Sequence, residues 1–161
     1  MRLSTAIVLL SLIGALGGCA NPRTLVAGQS TEADVRSRLG NATDTHVDRN
    51  GDRIWNYATG PWGHETYQVR LGTDGTVKAV TQVLTEEQLD KVVVGKTTRD
   101  EVAMMFGPRY EEVTYMPGLT WTWYFHKGGN QPGWLVVAFN PDGTVLYRIA
   151  LVEPSGGGRD D

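Results

Sequence analysis

The sequence predicts an α+β protein of two tandem units, each with one or two short helices packed on a three- to four-stranded antiparallel sheet. Three observations predict it. Gly28-Gln29-Ser30-Thr31-Glu32-Ala33-Asp34-Val35 recurs as Gly95-Lys96-Thr97-Thr98-Arg99-Asp100-Glu101-Val102, and Leu39-Gly40 recurs as Phe106-Gly107. Leu71-Gly72-Thr73-Asp74-Gly75-Thr76-Val77 recurs as Phe139-Asn140-Pro141-Asp142-Gly143-Thr144-Val145. Between these blocks lie the aromatic runs Trp55-Asn56-Tyr57 and Trp121-Thr122-Trp123. The offset is 67 residues in the first block and 68 in the last, and self-similarity at a nearly constant offset is the mark of a duplicated supersecondary unit.

Ahead of the repeat, Arg2 supplies a positive start, Ala6 to Leu16 a short apolar run, and Leu16-Gly17-Gly18-Cys19 a small-residue site. That order is the layout of a secretory signal, and the apolar run is short of the roughly 20 residues a permanent membrane span needs. The site resembles a lipobox, which implies that residues 1–18 are removed and that Cys19 is lipidated and becomes the mature N-terminus. More than one acyl chain is needed for stable attachment. Ala20 carries no inner-membrane retention signal, so the resemblance implies an outer-membrane anchor facing the periplasm. Residues 19–27 read as the lipidated tether, 28–84 as the first repeat, 85–154 as the second, and 155–161 as a disordered tail.

Each repeat opens with a helix. Ser30 and Thr97 are N-cap candidates, and Thr31 with Asp34 and Thr98 with Glu101 have capping-box spacing. Val35 and Leu39, then Val102, Met105 and Phe106, form the buried stripes. Gly40 and Gly107 end the helices, with Pro108 reinforcing the second stop. Thr85-Glu86-Glu87-Gln88 opens a further helix, whose first-unit counterpart near Asn21 to Val26 reads as rudimentary. Strands are expected at 43–47, 53–57, 66–71 and 76–83, then at 111–115, 119–125, 134–139 and 144–152. Asn50-Gly51, Asp74-Gly75, Pro117-Gly118 and Asp142-Gly143 supply turns, and 60–63 and 128–133 read as longer loops.

Strand alternation then sorts the faces. Tyr67, Val69 and Leu71, with Leu135, Val137 and Phe139, are expected in the cores. The opposite face carries Thr66, Gln68 and Arg70 in the first unit but Trp134, Val136 and Ala138 in the second. Either the two units pack together there or the second unit presents an apolar surface to a partner. Trp55, Tyr57, Trp121 and Trp123 read as packed aromatics. Trp62 and Trp134, beside glycines, and Val136 are the candidate partner-binding residues.

Chemistry-bearing patterns are sparse. One cysteine allows neither an internal disulfide nor a multi-cysteine metal site. His46, His64 and His126 are far apart in sequence, without metal-ligand spacing. Glu111 and Glu112 are neighbours on a strand and face opposite ways. No nucleophile elbow or phosphate cradle occurs. A formal net charge of −3 disfavours nucleic acid and anionic lipid as electrostatic partners. No catalytic residue, metal ligand, cofactor or small-molecule substrate is expected.

The ordered set of lipobox, Gly-x-Ser/Thr helix start, Leu/Phe-Gly stop, Trp-x-Tyr or Trp-x-Trp strand and Asp-Gly turn resembles the SmpA/OmlA, or BamE-like, outer-membrane lipoproteins, here in two copies. The tandem arrangement also resembles the beta-lactamase inhibitor protein fold, in which two such units form one broad concave sheet. The first resemblance implies a non-enzymatic accessory or scaffold protein of outer-membrane protein assembly and envelope integrity. The second implies a periplasmic protein that holds an enzyme, a beta-lactamase or a cell-wall hydrolase, on its sheet.

Overall fold

A computed structural model of the chain describes residues 21–59, 63–115, 118–128 and 131–152. In the first unit a short 3₁₀ turn (Pro22–Thr24) precedes helix α1 (Glu32–Leu39) and strands β1 (Asp44–Val47), β2 (Arg53–Ala58), β3 (Thr66–Leu71) and β4 (Val77–Gln82). In the second, α2 (Glu86–Asp90) and α3 (Arg99–Phe106) precede β5 (Glu111–Thr114), β6 (Leu119–Lys127), β7 (Gln131–Phe139) and β8 (Val145–Val152). Each set of strands is an antiparallel meander in chain order. The protein is therefore an α+β molecule of two tandem units. Among the described residues no strand of one sheet pairs with the other, so the units do not make one continuous sheet.

The helix starts differ from expectation in one detail. Thr31 and Thr98 are the N-caps of α1 and α3, and both capping boxes close, with Asp34 and Glu101 as the returning carboxylates. Ser30 and Thr97 sit one residue too early to cap. Their buried hydroxyls accept instead from the backbone N–H of Val26 (2.9 Å) and Val93 (2.8 Å) and brace the preceding turn. Loop length is the second correction. β6 and β7 run further than the glycine-rich stretch suggested, and β7 begins at Gln131. Trp134 is thus inside a central strand, not at a strand edge beside a loop.

The repeat is reproduced bond for bond. Gly28 N–H donates to Val77 O, Val77 N–H to Ser30 O, and Glu32 N–H to Gly75 O. Gly95, Val145 and Arg99 do the same with Val145, Thr97 and Gly143. These bonds tie each helix start to the Asp-Gly turn of the same unit. At the other end the Tyr57 hydroxyl donates to Gly40 O (3.3 Å), and the Trp123 indole N–H to Gly107 O (3.2 Å). A large aromatic with a polar tip suits that position: the ring fills the core while the tip satisfies a helix-end carbonyl.

The first core gathers Leu25, Val35, Trp55, Tyr57, Tyr67, Val69, Leu71 and Val77. The second is larger and includes Phe106, Trp121, Trp123, Phe125, Leu135 and Phe139. Leu25 belongs to the first core, and the Arg23 side chain donates to the Tyr67 hydroxyl (3.1 Å). The stretch read as tether up to residue 27 thus contributes Leu25 and Arg23 to the first unit. The expected signal segment, Cys19 and the tail at 155–161 lie outside the described residues.

The units meet where the outer face of the first sheet lies against the C-terminal turn of α3. The Gln68 amide donates to Met104 O at 2.7 Å. Asn56, fully buried, abuts Gly107, and Arg49 pairs with Glu101 across the junction at 3.1 Å.

Candidate partner-binding surface

The helix-facing side of each sheet is consumed by its core, so any binding surface on the sheets is on the outer faces. In the second sheet the antiparallel register places that face row by row. Tyr124, Trp134 and Leu151 form one row, Thr122, Val136 and Ile149 the next, and Thr120, Ala138 and Tyr147 the third. Glu111 and Val113 continue the last two rows onto β5. Trp134 and Val136 are half-buried, while Tyr147, Ile149 and Leu151 keep 47%, 43% and 44% of their surface exposed. Tyr124 links Tyr110 and Trp134 through ring contacts at 4.4 and 6.1 Å. A shallow cavity of about 190 Å³ opens at the Tyr147 end between Tyr115, Ala138 and Leu146.

The equivalent face of the first sheet makes the second one informative. Its rows are Ala58 with Thr66, Asn56 with Gln68 and Thr81, and Ile54 with Arg70 and Ala79. Repeat alignment pairs Thr66, Gln68, Arg70, Ala79 and Thr81 with Trp134, Val136, Ala138, Tyr147 and Ile149. Only Ile54, opposite Thr120, goes the other way. Two of the polar side chains of the first face are engaged within the molecule. Gln68 is used by α3, and Arg70 pairs with Asp48 and Asp52, with Lys78 reaching Asp52 at 2.6 Å. Leu146 stands where Lys78 would be, so the second face has lost this ionic cluster as well. The copy whose outer face meets a helix is the polar one, and the copy whose outer face is open is the apolar one.

Of the residues expected to bind a partner, the structure brings Trp134 and Val136 onto this one face, in adjacent rows of β7. Trp62 lies outside the described residues. Tyr147, Ile149 and Leu151 were missed, although the alternation of β8 and its alignment with Ala79, Thr81 and Val83 carried the signal. The histidines, far apart in sequence, are not all apart in space: His64 stacks on His126 with centroids 4.0 Å apart and tilts against Tyr124 at 5.6 Å. The hairpin end of the first sheet thus borders the Tyr124 end of the second face. His46 Nε2 instead sits 2.7 Å from Asp44. Glu112 faces the core side and accepts from the Trp121 indole at 2.8 Å, opposite in facing to Glu111.

Two other concavities lie at the junction. One of about 490 Å³ is lined by Ile54 and Gln68 of the first unit and by Met104 and Met105 of the second. The other, about 380 Å³, lies between Ala58 and Thr66 and the Tyr110, Trp123 and Tyr124 side chains. Among the described residues no group of three or more His, Cys, Asp or Glu side chains is placed to hold a metal ion. None of their helices is long and apolar enough to cross a membrane.

No protein-family model matches the chain, and no curated protein matches it. Among solved structures, an extracellular protein containing an SCP domain from Bacillus anthracis str. Ames aligns with 95% of this chain and 50% of its own length, at 11% identity and a TM-score of 0.33. The chain therefore spans about half of that protein.

Proposed function

We propose that the protein is a non-enzymatic, lipid-anchored accessory or scaffold protein of the outer membrane, serving outer-membrane protein assembly and envelope integrity by holding a protein partner on the outer face of its second sheet. The observation that carries this reading is the divergence of the two outer faces. What supports an interaction surface is the contrast with the polar first face, together with the contiguity of the apolar residues. Tyr147, Ile149 and Leu151 each have nearly half a side chain left to bury, worth about 1 kcal/mol apiece. The lipobox-like Cys19 and the packing of Leu25 bear on where this happens. Only Ala20 and Asn21 separate Cys19 from Pro22, a reach of about 11 Å at most, so the first unit would work against the membrane surface. The inhibitor-type alternative draws on the outer faces of both sheets. It is less well supported, because the first of these is met by α3.

Replacing Cys19 by Ala tests the anchor: the protein should leave the membrane fraction and keep its melting temperature. Deletion of the gene tests the role. Lowered barrel-protein levels and sensitivity to large antibiotics are expected, together with co-purification of assembly components with the lipidated protein from detergent extracts. Intact barrel-protein levels with an unaltered permeability barrier would exclude this role. A tight one-to-one complex with a periplasmic enzyme would favour the inhibitor reading instead.

A further inference from the structure

We infer that the outer face of the second sheet receives an amphipathic helix of two to three turns from a partner protein, set against it as the end of α3 is set against the first sheet. The inference rests on the binding role proposed above and specifies what is bound.

The molecule contains its own precedent. The equivalent face of the first sheet is met by a helix end, where Met104 and Met105 offer their carbonyls to Gln68 and line the cleft together with Ile54. On the second face Gln68 has become Val136 and Arg70 has become Ala138, so the matching helix would present apolar side chains and require no hydrogen bond from the sheet. Size points the same way. Three strands about 4.8 Å apart and five residues of about 3.4 Å each make a patch roughly 15 by 17 Å. A helix about 10 Å across fits it. It is well below the roughly 800 Å² per partner of a standard protein interface, which disfavours a second copy packed face to face.

Among the described residues, α1 does not supply the helix. At the places of Met104 and Met105, α1 carries Ser37 and Arg38, both exposed, so the α1 of another copy would set polar groups on an apolar face. The residues after Val152, Glu153-Pro154-Ser155-Gly156-Gly157-Gly158-Arg159-Asp160-Asp161, include no large apolar side chain.

The test is photocrosslinking in cells, using the full lipidated chain with a photoreactive residue at Val136 or Ile149, followed by mass spectrometry of the attachment points. Attachment to one partner at three- and four-residue spacing within a helix is expected, with none from the same residue placed at Ser37. Attachment to an extended segment, or to a second copy of this chain, overturns the helix and leaves the binding role standing. No attachment from either position in folded, membrane-located protein overturns both. Ile149→Asp and Tyr147→Ser lie half-exposed on the outermost strand, so the fold should survive them. Each should cut the Val136 crosslink about tenfold or more, as loss of a central interface residue does. An unchanged crosslink in both variants would overturn the assignment of the helix to this face.

Discussion

Gly40 and Gly107 occupy the same place in the two repeats and offer a controlled measure of how the units are joined. Both end a helix in nearly the same conformation, φ 73 and ψ −147 for Gly40 and φ 71 and ψ −157 for Gly107. This backbone region belongs almost entirely to glycine, and a side chain there costs about 1–3 kcal/mol. Their surroundings differ. A Cβ on Gly40 would meet nothing within 4 Å, whereas a Cβ on Gly107 would lie 2.9 Å from Asn56 Cγ and 3.1 Å from its Nδ2. Asn56 is 0% exposed and has no room to swing away. Gly40→Ala should therefore cost the backbone strain alone, and Gly107→Ala that strain plus an overpacking cost of about 1–3 kcal/mol. The difference between them is the quantity of interest, since the shared strain cancels. It is read from urea denaturation midpoints of the chain lacking residues 1–18 and carrying Cys19→Ala, with a difference in melting temperature of about 4 °C or more as a second readout. Adding Asn56→Ala should recover most of the extra cost in the Gly107→Ala background and none in the Gly40→Ala background. Equal costs for the two glycines, or no coupling to Asn56, would refute the junction described between the first sheet and α3.

Thr31→Ala and Thr98→Ala should each destabilise by about 1 kcal/mol, measured by urea denaturation, whereas Ser30→Ala should act through the turn at Val26 and leave the start of α1 intact by hydrogen exchange. The backbone N–H and hydroxyl of Thr31 donate to Asp34, and those of Thr98 to Glu101, and hold both carboxyls below their ordinary values. Groups depressed in the folded state contribute stability that is complete above the unfolded pKa and is lost as pH falls through the folded one. Acidification from about pH 5 to pH 2 should remove it, and Asp34→Asn with Glu101→Gln should flatten that acid limb in melting experiments. Arg70→Ala copies the residue of the second unit without its surroundings. It leaves the nearly buried Asp52 with Lys78 alone and should cost about 1–3 kcal/mol by denaturation, more than Arg36→Ala, whose guanidinium rests exposed over Trp55.

Most strands, the capping-box pairs and the Asp-Gly turns were readable from the sequence because each is set by local chemistry repeated twice, although the N-cap itself was placed one residue early at Ser30 and Thr97. Asp74-Gly75 and Asp142-Gly143 name their turns, and Thr31 and Thr98 have their partners three residues on. The face assignment of β3 and β7 was readable for the same reason, since alternation needs only the strand. Three things were not. The start of β7 was hidden because Pro132 and Gly133 favour loops in isolation, while nine paired residues of β6 hold them in the sheet. Leu25 was hidden because its burial depends on β2 and β3, far along the chain. The stacking of His64 on His126 depends on how the two units meet, which no local pattern encodes. The candidate surface falls between these cases. Trp134 and Val136 followed from alternation alone, whereas Tyr147, Ile149 and Leu151 needed the register of β8 against β7.

The junction also explains why the two copies diverged in opposite directions. In a stack of repeats the end units need polar outer surfaces, because nothing follows to cover them. The first unit meets this at its free side: Arg36, Ser37 and Arg38 face water on α1. α3, at the junction, has Met104 and Met105 at the last two of these places. The second unit departs from this pattern on its outer face. There a polar face would have cost nothing in packing, since the first unit shows that Thr66, Gln68 and Arg70 are compatible with the same fold, and Lys78 and Asp52 supply a ready ionic arrangement. Trp134, Val136, Tyr147 and Ile149 instead leave apolar area open to solvent, a liability for solubility that the fold itself does not require. The outer face of the second sheet has the composition of an interior surface, which is the feature the proposed partner contact accounts for.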